Sequence, residues 1–98
     1  MSPSRRNKAL TATINRIALR YGATPTDHSV EIAAKIGTIV VATSATVVDA
    51  IAELGKRAGP VYVAMTNREA LRDARRAAEG TKVGVMQPDG EIVRPAGG

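Results

Sequence analysis

Asp27, His28 and Glu31 form the clearest cluster of titratable side chains that could do chemistry in this sequence. On a helix Asp27 and Glu31 would stand one turn apart, with His28 three residues from Glu31, so all three could approach a divalent cation. A metal site also needs a full ligand set and an orienting outer shell, and no second cluster in the chain completes this one. The expectation is a polar loop carrying an exposed histidine, with no metal and no other cofactor. No nucleophile can be assigned to His28 as a general base, so no residue is named catalytic.

A second candidate for chemistry is Thr43-Ser-Ala-Thr46, which follows an apolar run and opens a helical pattern, the place where backbone amides cradle phosphate. It has neither the glycines nor the lysine of a P-loop or a dinucleotide fingerprint. Anion binding there is expected to be secondary at most.

The third candidate is charge. Fourteen basic residues against nine acidic ones leave a net charge of +5. The excess is gathered at one end: residues 1 to 26 hold Arg5, Arg6, Lys8, Arg16 and Arg20 and no acid, while the signs balance at nine each from Asp27 onward. A local positive field of this kind attracts polyanions, nucleic acid above all. Those five cations are the expected nucleic-acid-binding residues. Two tyrosines, with no phenylalanine or tryptophan, supply no aromatic platform for single-strand stacking. The plainer reading, a basic segment that merely solubilises, stands beside it.

The elements that must position these residues follow from periodicity. A chain of 98 residues suits a single α/β domain with one core and no separate lid or cofactor domain. With no cysteine, disulfides and thiolate metal sites are excluded. No apolar run approaches the length of a membrane span, and the first residues lead into no signal-like core, so a cytoplasmic protein without membrane contact is expected.

Leu10, Ile14, Ile17 and Tyr21 share one face of a helix over about residues 5–21, which Gly22 stops, with Arg5, Lys8, Arg16 and Arg20 around the opposite side. Residues 23 to 29 read as a turn-rich linker, and Val30 to Lys35 as either a short strand or a short helix. Thr38 to Thr43 and Pro60 to Thr66 are β-rich runs. Between them a helix over Val47 to Ala58 is introduced by a capping box of Thr46 and Asp49 and ended by Gly59-Pro60. Asn67 caps a last helix whose thin apolar face is Ala70, Leu71, Ala74 and Ala78. Its other face, Arg68, Glu69, Arg72, Asp73, Arg75, Arg76 and Glu79, has opposite charges at i+3 and i+4 and reads as a solvated, salt-bridged surface. Lys82 to Met86 is a further strand, Gln87-Pro-Asp-Gly90 turns the chain back as a hairpin, and residues 95–98 are a short flexible tail. Strands alternating with helices imply βαβ crossovers, hence a mixed, mostly parallel sheet with flanking helices in two or three layers. Open sheet edges and the thin last helix make a homo-oligomer an expectation as well.

In this order the chain resembles the restriction-endonuclease-like superfamily, the PD-(D/E)xK nucleases, and within it the small archaeal Holliday-junction-resolvase-like proteins. There a first helix leads to a strand bearing Asp, then a strand bearing Glu or Gln, one residue and Lys, then helix, strand, helix and a closing strand. Val30-Glu-Ile-Ala-Ala-Lys35 is similar to the Asp-bearing strand, with Glu31 at the acidic position, and Val41-Ala-Thr-Ser-Ala-Thr46 to the end of the next. Ala58-Gly-Pro-Val-Tyr-Val-Ala64, Thr66-Asn-Arg-Glu69 and Glu79-Gly-Thr-Lys-Val-Gly-Val-Met86 resemble its C-terminal half. In the nucleases the acids hold divalent ions and the Lys helps to position or activate water. Here Ala42 stands at the acid position, Ser44 at the lysine position, and the first helix has no Glu. The resemblance thus implies a nuclease fold without its chemistry: a non-catalytic nucleic-acid-binding protein, with DNA expected ahead of RNA. The alternatives are a metal-dependent DNA nuclease whose acids come from elsewhere and a structural, oligomer-forming protein.

A rival order is αβαβαβαβ, with residues 17–23 as strand and 27–36 as helix. That order is similar to the αβα sandwich of the L7Ae/L30e ribosomal RNA-binding family, although Thr24 and Pro25 replace the Asn-Glu pair which that family uses on kinked RNA.

Overall fold

The computed structural model describes residues 8–25 and 29–97 of the 98. Its elements are α1 (Lys8–Arg20), β1 (Glu31–Ala34), β2 (Gly37–Ala42), α2 (Val47–Leu54), β3 (Val61–Met65), α3 (Leu71–Ala78), β4 (Gly84–Met86) and β5 (Ile92–Arg94). The five strands form one sheet in the order β1-β2-β3-β4-β5.

The central pairings, β2 with β3 and β3 with β4, are parallel and each is bridged by a helix. Both outer pairings are antiparallel, so the sheet is mixed, as expected, but parallel pairing is confined to its centre and does not predominate. The cause is local: β1 and β2 are joined by the two residues Lys35 and Ile36, and β4 and β5 by the Gln87-Pro-Asp-Gly90 turn, connections too short for a crossover. In that turn Gly90 N–H donates to Gln87 O at 2.8 Å and Gln87 N–H to Glu91 O at 2.8 Å, with Gly90 at φ +91°.

Helices cover both faces, giving three layers. Ile14, Ile17 and Ala18 of α1 pack on Ile32, Ile39, Val41, Tyr62, Ala64 and Met86. On the other face Val47, Ile51 and Leu54 of α2 and Ala74 and Ala78 of α3 pack on Ala42, Val61, Val63, Met65, Val83 and Val85. Every residue of β3 is buried, because it lies mid-sheet with apolar layers above and below. Gly84 pairs with Tyr62 across β3 and β4, and a Cβ there would stand 2.5 Å from Tyr62 Cδ1, so the glycine makes room for the ring.

α1 ends as its sequence implies. Gly22 takes φ +65°, Ala23 N–H donates to Ala18 O at 2.8 Å and Gly22 N–H to Leu19 O at 3.4 Å, the paired bonds of a Schellman stop. The helix therefore includes residues 17–20, and the segment left open at Val30 to Lys35 is a strand over 31–34. Both facts overturn the rival αβαβαβαβ order. Residues 5–7 of the expected first helix lie outside the described residues.

Three local expectations are corrected. α2 stops at Leu54, not Ala58: Lys56 N–H and Arg57 N–H bond to the i−3 carbonyls of Glu53 and Leu54, and Ala58 is exposed, so no burial draws the helix on. The Thr46 hydroxyl does not cap α2 but turns back to accept from Thr43 N–H at 3.0 Å. Asn67 Oδ1 accepts from Ala70 N–H at 2.8 Å and so caps the turn before α3, which itself begins at Leu71. Of the tail expected to fray, Ala96 packs against the α1 side of the sheet and Gly97 N–H donates to Lys82 O at 2.7 Å; Gly98 lies outside the described residues.

Candidate nucleic-acid interface

The residues named from sequence are placed by α1. Its buried side is Thr13, Ile14, Ile17 and Ala18, with Leu10 and Tyr21 half-buried beside them. Lys8, Ala12, Arg16 and Arg20, at steps of four, wind along the outside as a strip about 18 Å long, at 1.5 Å per residue. All four are exposed, and no acid occurs anywhere in the helix. Lys8 and Arg16 form no side-chain hydrogen bond or ion pair among the described residues. Arg5 and Arg6 lie outside the described residues.

Arg20 differs from the other two. A step of four residues overshoots a full turn, so the strip drifts and Arg20 arrives at the margin of the buried face. There its Nη1 donates to Asp89 O at 3.1 Å and stands 3.9 Å from Asp89 Oδ1, while its guanidinium lies 5.8 Å from the centre of the Tyr21 ring. Next to it the Tyr21 hydroxyl donates to Gly90 O at 2.5 Å. Arg20 therefore docks the end of α1 on the β4–β5 turn, and about half its side chain stays exposed.

Of the positions singled out for metal chemistry, Glu31 lies among the described residues. Asp27 and His28 lie outside the described residues. Glu31 Oε1 accepts from Arg57 Nη1 at 2.7 Å, an ion pair that ties β1 to the turn following α2. The residue opposite Glu31 on β2 is Val40, and Ala42, two positions on, is buried. Ser44 is exposed in the turn beyond. Among the described residues no three His, Cys, Asp or Glu side chains stand close enough to share a metal ion.

The amides before α2 are also largely used. Thr43 N–H bonds to Thr46 Oγ1, Ala45 N–H to Thr43 Oγ1 at 3.2 Å and Thr46 N–H to Thr43 O at 3.1 Å. Donors turned inward in this way are withdrawn from a phosphate.

Sequence reasoning missed two features. The carboxylate of Glu31 and the guanidinium of Arg57 are 26 residues apart, a pairing that no local spacing announces. The salt-bridged face expected on α3 is not formed: the two ion pairs among the described residues are Arg20–Asp89 and Arg57–Glu31, and Arg68, Arg72, Arg75 and Arg76 are exposed without one. The helical period did signal their common face, since it is the one opposite Ala70, Ala74 and Ala78. Among the described residues no helix is long and apolar enough to cross a membrane. Compared with protein-family models, with curated proteins and with solved structures, the chain matches none.

Proposed function

We propose that this protein binds nucleic acid, DNA ahead of RNA, through the phosphate backbone along the outside of α1, and that it does so without cutting it. The observation that carries the reading is an acid-free helix whose exposed strip holds Lys8 and Arg16 with no partner among the described residues and Arg20 with half its side chain in solvent. Long cationic side chains without an internal partner keep their donors and their charge for an external anion. Phosphate contacts of this kind carry no base information, so binding is largely independent of sequence.

What supports a nuclease-like core is the order helix, strand, strand, helix, strand, helix, strand, with Glu31 on the first strand and Ala42 at the end of the second. What supports a core without nuclease chemistry is the set of side chains there: the one acid is committed to Arg57, and Val40 and Ala42 cannot ligate a cation. Even a weakly held Mg²⁺ relies on a carboxylate or two plus phosphate oxygens.

The test is a fluorescence-anisotropy titration of a short labelled duplex across salt. The logarithm of the association constant should fall with the logarithm of salt, with a slope of about −0.9 for each phosphate contacted. The double variant Lys8→Ala/Arg16→Ala should reduce that slope by about two contacts and weaken binding alike for unrelated sequences. No binding at low salt removes the reading, and nicking of supercoiled DNA in Mg²⁺ or Mn²⁺ removes its non-catalytic half.

A further inference from the structure

The side of the sheet remote from α1 carries a second set of cations. Arg68, Arg72, Arg75 and Arg76 are exposed and form no ion pair among the described residues, although Glu69, Asp73 and Glu79 lie three or four residues from one or more of them. A depression of about 460 Å³ runs along α3 between Leu71, Arg72, Arg75, Arg76 and Glu79. It shares Arg75 and Glu79 with a neighbour of about 270 Å³ that continues to Val93, Arg94 and Pro95 on β5. Arg94 is fixed at that end, its Nε donating to Val83 O at 3.3 Å and its Nη2 to Thr81 O at 3.1 Å. Four guanidinium groups therefore line two adjoining depressions that share Arg75 and Glu79, against a single carboxylate, that of Glu79.

We infer that this α3–β5 groove is a second phosphate-binding surface, so that one molecule holds two separate segments of duplex nucleic acid, one on each side of its sheet. The inference rests on the function proposed above. The eight residues of α3 span about 12 Å, and duplex DNA presents one negative charge per about 1.7 Å of its axis, so a segment laid along the groove meets several charges at once. An open trough of spaced guanidiniums suits such an extended polyanion better than it suits a small anion, which would leave most of the donors unused.

Two segments follow from the geometry. α1 packs on one face of the sheet and α3 on the other, and the molecule measures 40 × 27 × 23 Å between its extremes. DNA stays stiff over about 150 base pairs, and bending a site of 20 to 30 base pairs through 40–90° already costs about 1–6 kcal/mol. A short duplex on α1 therefore does not wrap round to α3, and the second surface is left for a second duplex.

The experiment is a two-duplex capture with the full chain. A biotinylated duplex of roughly 20 base pairs, well below the stiffness length, is immobilised, and retention of a fluorescent duplex of unrelated sequence is measured with protein present. Light scattering on the same samples reads the oligomeric state, and circular dichroism confirms that each variant is folded. Wild-type protein should retain the second duplex. Arg72→Ala/Arg76→Ala should bind one duplex with an affinity and a salt slope close to those of wild type, within about threefold in affinity, and lose at least nine-tenths of the retention. Wild-type protein that binds one duplex but retains no second overturns the inference and leaves the α1 reading standing. Retention by the Arg72→Ala/Arg76→Ala variant equal to that of wild type, as paired α1 faces of a dimer would give, also overturns it. Wild-type protein that binds no duplex at all removes both.

Discussion

Gly37 has φ +138° at the start of β2, and a Cβ there would stand 2.3 Å from the Pro60 carbonyl oxygen. The two backbones cannot part, because Thr38 N–H donates to that same oxygen at 3.1 Å. Gly37→Ala should therefore cost about 2–3 kcal/mol, read as a lower urea midpoint with an unchanged slope. Glu31 makes the contrasting case. Its pair with Arg57 is short, but the side chains are 40% and 35% exposed, and an ion pair open to solvent contributes less than about 1 kcal/mol. Glu31→Gln should lower stability by no more than that and leave nucleic-acid affinity unchanged, checked by urea unfolding beside an anisotropy titration. A loss of affinity in that variant would mean that the carboxylate has a part in binding which the α1 reading does not include.

At the scale of elements, α1 is held by its apolar face and by its C-terminal end. Tyr21→Phe removes the bond to Gly90 O and leaves that carbonyl to find water, a cost of about 1 kcal/mol in a half-buried site. Amide exchange in α1 should quicken, while α2 and β3 keep their protection. The face of α1 was legible in the spacing of Leu10, Ile14, Ile17 and Tyr21, and its end in Gly22. The fate of Arg20 was not, because Asp89 is 69 residues away and is brought in by the β4–β5 turn. The charges of α3 were legible as a face but misread as pairs, since spacing says that two groups could meet and not that they do. α2 was drawn too long for a similar reason: Ala58 fits the period but is exposed.

The whole molecule sets out two cationic surfaces with the sheet between them, α1 on one side and α3 with β5 on the other. Their contributions to binding should be separable. If each acts alone on its own duplex, Lys8→Ala/Arg16→Ala should lower the salt slope of the α1 site alone, Arg72→Ala/Arg76→Ala that of the α3–β5 groove alone, and the combined variant should show both losses unchanged, as changes at distant sites do. The combined variant should bind about as weakly as a net charge reduced from +5 to +1 suggests, measured by the same titration.

Helical and strand periods, the glycines that end α1 and turn β4 into β5, and the cation-rich, acid-free leading segment are properties of neighbours along the chain, and the sequence alone determined them. The hairpin at Lys35 and Ile36, the antiparallel edges, the opposition of Glu31 and Val40, the capture of Glu31 by Arg57 and of Arg20 by Asp89, and the gathering of Arg72, Arg75, Arg76 and Arg94 along the α3–β5 groove were decided only in three dimensions. The division has a physical cause. A residue's period depends on the few residues beside it, whereas the direction of a strand and the partner of a charge depend on which distant apolar faces bury one another first.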